Sequence, residues 1–326
     1  MTLTPRPLLA ALLSVAALWA SPSTALAQQD YPNKPVKWIV PYPPAGTTDV
    51  LARMVAQWLT EKMGQPFVVE NRPGAGNNIG TEAVIKSPPD GYTMLLVNPA
   101  NGINATLYKN LNFNFIRDIA PVAGLVRTPN VMEVTNSLPV KTVKEFIDYC
   151  KANPGKINMA SSGGGTSVHL SGELFKFMTG CDMVHVPYKG AGPALVDLIG
   201  GQVHVLFDNL PSSIGHIRGG RLRALGVTSE GREPSLPGVP TVGETVPGYE
   251  ATAWFGVGMP KGTPRELVAA MQAEMRKALT SDELKATWTG LGTETPNLWG
   301  DDFGRFVNLE IKRWAEVVKN SGAKLD

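Results

Sequence analysis

Short apolar runs alternate with stretches of helical spacing along most of this chain. Runs at 36–40, 67–70, 93–97, 131–134, 157–160, 183–187, 203–207, 223–227 and 253–257 are too short for helices and read as buried strands. Helical spacing fills 49–61, 80–87, 167–178 and 193–199, and a last helix is expected over about 302–320. A further helix opens at Thr142, with Glu145 in the capping-box place, and stops at Asn153-Pro154-Gly155. Thr263-Pro264-Arg265-Glu266 opens another, with Thr263 as its cap and Glu266 closing the box. Strand, helix, strand in repetition predicts an α/β fold of parallel sheets with helices on both faces. Ligands of such sheets bind at the carboxyl ends of the strands.

Two turns occupy that position. Pro43-Pro44-Ala45-Gly46-Thr47-Thr48-Asp49 follows the first strand, and Ser161-Ser162-Gly163-Gly164-Gly165-Thr166 lies between the 157–160 strand and the 167–178 helix. A turn of this kind leaves main-chain N–H groups without partners at the start of a helix, where the helix dipole also favours negative charge. Two such cradles, far apart in the chain, point to a small anion held between two lobes. Residues past about 253 are expected to return to the first lobe. Two crossings follow, near 125–130 and 251–255, dividing the chain into 28–127 plus 253–326 and 128–252.

Composition narrows the class. At 326 residues the chain can form two α/β lobes with full cores, and a net charge of +2 with no basic run excludes nucleic acid as the partner. Arg6, the apolar stretch 7–20 and the small-x-small site Ala25-Leu26-Ala27 read as a signal peptide (1–27) cleaved after Ala27, so the mature protein is expected to be exported and soluble. Cys150 and Cys181 are the only cysteines. Each falls near a helix end just before a strand, so in an oxidising compartment they either pair or remain as two buried thiols.

Motifs for chemistry are sparse. Gly74-Ala75-Gly76-Asn77-Asn78-Ile79-Gly80 resembles the dinucleotide fingerprint with its last glycine one place late, and it reads as a tight turn with no cofactor. No Gly-x-Ser-x-Gly elbow or Walker loop is present. Ser161 or Ser162 with His169 and Asp208 offers the outline of a triad, so an exported hydrolase of carboxylate esters is the rival function. His169 and Glu173 are spaced as a metal pair without a third ligand, and no metal is expected. Asp49 reads both as a helix cap and as a polar group beside a ligand. Asp208 with Asn209 ends a strand facing the same crevice. Trp254 and Phe255 sit at the second crossing. Strand alternation turns one of them to the cleft, and Trp254 is the expected wall. Asn98, Asn101 and Asn104 follow the third strand as candidate donors to a second polar group, or as a solvent loop. Arg127 is the one cation placed to be tested as a clamp.

The first turn, the segment Asn71-Arg72-Pro73-Gly74-Ala75-Gly76, Asn153-Pro154-Gly155-Lys156, the glycine turn, Val186-Pro187-Tyr188-Lys189-Gly190 and Gly200-Gly201-Gln202-Val203 occur in an order that resembles the Bug family. These are periplasmic solute-binding receptors of tripartite tricarboxylate transporters, and the resemblance spans the mature chain and implies a periplasmic location. It implies a type II periplasmic-binding-protein fold, a two-lobed clamp that holds a small carboxylate and delivers it to membrane permease subunits. The receptor is expected to be a monomer and not an enzyme. Carried onto this sequence, the carboxylate loops are Pro44 to Asp49 and Ser161 to Thr166. One departure is Ala45, where the family's first loop has glycine. Alanine reaches positive φ less readily.

Overall fold

The computed structural model describes residues 31–321; the expected signal peptide and its cleavage site lie outside the described residues. The chain begins with a strand–helix alternation: β1 (Val36–Val40), α1 (Thr47–Met63), β2 (Phe67–Asn71), α2 (Asn78–Ile85) and β3 (Thr93–Val97). Helices α3 (Pro99–Leu107) and α4 (Phe115–Asp118) lead into a long strand, β4 (Ile119–Thr135). A second alternation follows: α5 (Val143–Ala152), β5 (Ile157–Ser161), α6 (Ser167–Thr179), β6 (Met183–Pro187), α7 (Ala191–Ile199), β7 (Val205–Asn209), α8 (Leu210–Arg218) and β8 (Leu222–Val227). Strand β9 (Thr252–Pro260) and helices α9 (Arg265–Thr280), α10 (Asp282–Gly290) and α11 (Gly300–Ser321) complete the described chain.

The strands lie in the order β2-β1-β3-β9-β4-β7-β5-β6, with β8 also on β4. Strand β4 belongs to both halves. Its residues from Ile119 to Pro129 pair with β9, and those from Asn130 onward pair with β7 and β8. The chain re-enters β9 beside that switch: the Ala251 N–H donates to the Thr228 carbonyl, and the Thr228 N–H to that of Asn130. Each half has its own core, one around Trp38, Leu51, Met94, Phe255 and Trp288, the other around Met132, Phe146, Met159, Phe175 and Phe207. Each large side chain removed from water contributes roughly 1.5–3 kcal/mol before entropy is counted.

The sheets are mixed, not purely parallel. Strands β4 and β9 connect the halves without a crossover helix, so they run antiparallel to their neighbours. Strand β4 extends far beyond the expected 131–134 because Pro121 and Gly124 sit at register shifts instead of ending the strand. The asparagine-rich stretch expected as a loop or donor site is helix α3. Asn98 caps it, with Pro99 in its first turn. At α5 the Glu145 N–H donates to Thr142 Oγ1 at 3.1 Å, but the Glu145 carboxylate accepts from the Lys141 amide instead of closing the box on Thr142. The box expected at Thr263 does not form: Pro264 is the cap residue, and the Thr263 hydroxyl donates to the Pro260 carbonyl. Cys150 and Cys181 are buried free thiols. Among the described residues, no helix is long and apolar enough to cross a membrane.

Candidate functional site

The first turn is organised by Asp49. Its carboxylate accepts from the Ala45 amide (3.1 Å), from Arg53 Nε (2.9 Å) and from Asn71 Nδ2 (2.9 Å). Burial opposes ionisation of this group, but the hydrogen bonds from Arg53, Asn71 and Ala45 outweigh it and hold the carboxyl below its usual range. Asn71 also donates to the Tyr42 carbonyl, so the end of β2 braces the turn after β1. Asp49 is therefore a brace behind the loop, and its charge is spent on Arg53. Ala45 adopts φ +69°, the left-handed geometry that alanine disfavours. With Ala45 and Asp49 occupied, the N–H groups of Thr47 and Thr48 at the head of α1 have no partner among the described residues.

The asparagines form a second brace. Asn98 Oδ1 accepts from the Ala100 amide, and Asn101 returns the bond by accepting from the Asn98 amide. Asn101 Nδ2 donates to Thr81 Oγ1, and Asn104 Nδ2 to the Gly76 carbonyl and Asn78. Asn98 Nδ2 is buried and unpartnered, and Asn98 lines the cleft. Asn101 does not line it.

The glycine turn is braced without charge. Gly163 N–H donates to Ser161 Oγ (3.2 Å), and Gly165 N–H to His169 Nδ1 (3.3 Å). Thr166 caps α6 by accepting from the His169 amide. Ser161 Oγ also lies 2.7 Å from His185 Nε2, and the rings of His169 and His185 stack at 4.1 Å. Burial, with His185 and Lys176 nearby, pushes the His169 pKa down to about 3, so the imidazole is neutral and Nδ1 is an acceptor. Several amides expected to face a ligand are thus satisfied within the turn. The Ser167 and Val168 amides at the head of α6 have no partner among the described residues.

The halves are in contact. Thr47 Oγ1 lies 2.9 Å from Ser212 Oγ, and the Ser212 amide donates to Thr47 Oγ1. A side chain at Gly190 would meet Pro43 Cδ at 2.6 Å, so only glycine lets α7 approach the first turn. Between the halves lies a pocket of about 380 Å³, including its solvent-open mouth. Its lining comes from Gly46, Thr47 and Thr48 at the head of α1, Asn98 and Pro99 at α3, and Ser162, Thr166 and Ser167 at α6. Ala191 at α7 and Asn209 at α8 complete the rim, and Tyr42 and Phe255 form the walls. Five helices (α1, α3, α6, α7 and α8) therefore begin at one pocket that contains no charged side chain. Each N-terminus acts as roughly half a positive charge. The arrangement stabilises an anion by dipoles, amides and hydroxyls.

Sequence reasoning located Gly46, Thr47, Thr48, Asn98, Ser162 and Thr166 at this pocket, and the structure brings them together. Pro44, Ala45 and Asp49 shape the first turn, and Ser161, Gly163, Gly164, Gly165 and His169 the second, without lining it. Asp208 is buried behind the wall with Glu133 and Ser213. Trp254 points to the other face of β9, packs on Phe303 and Phe306, and donates to Glu310. Phe255, not Trp254, forms the aromatic wall of the cleft. Arg127 stacks near Phe306 and not in the pocket. Asn209 faces the crevice as its strand end placed it, whereas Tyr42, Pro99, Ser167 and Ala191 were missed; Ala191 stands at a helix head whose direction is set by the second half's topology. The triad outline does not assemble, because Ser161 Oγ contacts His185, and His169 Nδ1 is engaged by the Gly165 amide.

Residues 51–323 match the family described as tripartite tricarboxylate transporter family receptor. The chain is 37% identical over 320 residues to Protein BugT of Bordetella pertussis, covering 97% of this chain and 98% of that one. Among solved structures, R. palustris Rpa4515 with adipate superposes with a TM-score of 0.89 at 40% identity, covering 91% of this chain and all of that chain. MatC from Rhodopseudomonas palustris, with bound malate, superposes with a TM-score of 0.84 at 31% identity, covering 88% of this chain and 100% of that one. These likenesses agree with the two-lobed architecture. The chain belongs to the tripartite tricarboxylate transporter receptor family, whose members are solute-binding receptors and not enzymes.

Proposed function

We propose that this protein is an exported, monomeric periplasmic receptor that binds one small organic carboxylate in the cleft and presents it to the membrane subunits of a tripartite transporter. The observation that carries the reading is the convergence of five helix N-termini on a pocket without a charged side chain. A carboxylate there accepts from the Thr47 and Thr48 amides on one side and the Ser167 and Val168 amides on the other, with the Ser162 hydroxyl and Asn98 Nδ2 as side-chain donors. Water bridges complete such sites at little cost. The adipate and malate in the related structures support this ligand class. Lobes of 28–127 plus 253–326 and 128–252 would close by a hinge at the two crossings, where β4 and β9 pass between sheets. The apolar segment 7–20 and the site at Ala25-Leu26-Ala27 support export.

Thermal unfolding of the stripped mature protein tests this, with adipate and malate first and a wider panel of mono-, di- and aromatic acids next. A ligand at one hundred times its Kd adds about 2.7 kcal/mol of stability, so the melting temperature rises clearly. If no acid in the panel raises it, the reading is wrong.

A further inference from the structure

Behind the cleft wall, Glu133 on β4 and Asp208 at the end of β7 are both fully buried. Among the described residues, no lysine, arginine or histidine bonds to either carboxyl. Ser213 Oγ lies 2.6 Å from Glu133 Oε1 and 2.9 Å from Asp208 Oδ2. A hydroxyl has one proton, so it donates to only one of these oxygens. The other contact is satisfied only if that carboxyl carries a proton and donates to Ser213 Oγ. Glu133 Oε2 and Asp208 Oδ1 have no partner, which two bare carboxylates in an apolar interior would not tolerate. From Asp208 Oδ2 the chain continues to Ser212 Oγ at 2.5 Å, and from there to Thr47 Oγ1 on the opposite side of the cleft.

We infer that Glu133 and Asp208 share one proton, and that Asp208, acting through Ser212, is the positioning residue that fastens Thr47 across the closed cleft. The surrounding charged groups are committed elsewhere. On β8, Arg223 donates to the Leu138 and Val140 carbonyls. On α8, Arg218 donates to the Ser235 carbonyl, and burial with Arg221 nearby holds the His216 pKa below its usual value. On α1, Arg53 pairs with Asp49. On α7, Asp197 accepts from the Tyr188 hydroxyl. On α6, His169 takes the Gly165 amide and Glu173 pairs with Lys176. Before β7, His204 Nδ1 accepts from the Asn158 amide. On β4, Arg127 lies near the Phe306 ring.

Burial, and then the neighbouring Asp208, pushes the Glu133 carboxyl well above its usual range. Burial pushes Asp208 up to about 6 against its serine hydrogen bonds. Both shifts are upward, so the protonated pair is favoured in the folded state, and that advantage is lost as pH rises through the pair's titration. For ligand capture the inference rests on the carboxylate reading. An anion at Thr47 sits two hydrogen bonds from the pair and raises its proton affinity. Reciprocally, proton loss weakens capture, by at most tenfold per pH unit for one proton.

The test has a ligand-free arm and a ligand arm. Infrared spectra of the ligand-free mature protein at pH 7 should show a protonated-carboxyl band that is absent from the double variant Glu133→Gln with Asp208→Asn. Both replacements are neutral and close in shape to the protonated acids. Adipate and malate are then titrated calorimetrically between pH 6 and 8. Wild-type affinity should fall at least fivefold more than that of the double variant, whose profile reports the ligand's own ionisation. Ser212→Ala should keep the infrared band and lose about fivefold in affinity at pH 6. Absence of the band in wild type, or parallel pH profiles for wild type and double variant, overturns the inference. If neither acid binds wild type at any pH, the carboxylate reading fails, while the band alone still decides the shared proton.

Discussion

The two turns that face each other across the cleft present similar donors but are held in place by different chemistry. The 43–49 turn is braced by an ionised carboxylate, Asp49, with Arg53 and Asn71 around it. The 161–166 turn is braced by neutral groups: the Ser161 hydroxyl, the Thr166 cap and an uncharged imidazole. Asp49 is buried in the first turn of α1, and the half-exposed Arg53 reaches over it and neutralises it. His169 is buried against His185, and the nearby Glu173 carboxylate, 3.9 Å from its Nε2, is already paired with Lys176, so burial keeps the ring neutral. An anion site of this kind needs its amides aimed inward and any bracing charge cancelled or absent.

The largest test of that contrast is Asp49→Ala. It leaves the Ala45 amide, Arg53 and Asn71 without their acceptor, and a stability loss of about 2–4 kcal/mol is expected from urea denaturation at pH 7. Because the folded-state carboxyl is held low, the wild-type advantage is present above the unfolded pKa and fades as pH falls through the lowered value. His169→Ala should cost about 2–3 kcal/mol at pH 7 through the orphaned Gly165 amide and the lost packing. Its pH signature extends higher. The folded-state pKa is depressed from 6.5 to about 3, so wild type loses stability as pH falls across that window, and the variant lacks this part of the slope. Comparing the two acid profiles separates a charged brace from a neutral one.

Smaller effects sharpen the comparison on the ligand side. Thr48→Ala and Ser162→Ala remove hydroxyls that line the pocket from opposite turns. Each should weaken carboxylate binding by about 1 kcal/mol, or roughly fivefold by calorimetry, while leaving stability within about 0.5 kcal/mol. Ala45→Gly relieves the left-handed alanine and is expected to add up to about 1 kcal/mol of stability, read as a rise in melting temperature. A stability loss at this position would show that the surrounding turn has relaxed around alanine.

Local patterns carried much of the architecture. The strands at 36–40 and 93–97 stand where the apolar runs place them, and both turns sit at strand ends that feed helices. The hydroxyls of Thr47, Thr48, Ser162 and Thr166 were legible because a helix head after a tight turn is a local feature. Other residues were not legible because their neighbours are distant in sequence. Alternation in β9 demanded that Trp254 and Phe255 face opposite ways, but the phase was set by pairing with β4 and by the packing of α11 on Trp254. Asp208 looked like a turn residue at the crevice, and only the antiparallel approach of β4 buries it beside Glu133.

The amino-acid sequence by itself determined the strand–helix alternation, the two amide-rich turns and the shortage of cations to clamp a carboxylate, since each depends on residues within a few positions of one another. The tertiary structure decided that five helix heads meet at one pocket, which aromatic ring walls it, and which turn donors remain unpaired. Those outcomes depend on how β4 and β9 join the two sheets and on contacts such as Thr47 with Ser212, made between residues too far apart in the chain for any local pattern to encode.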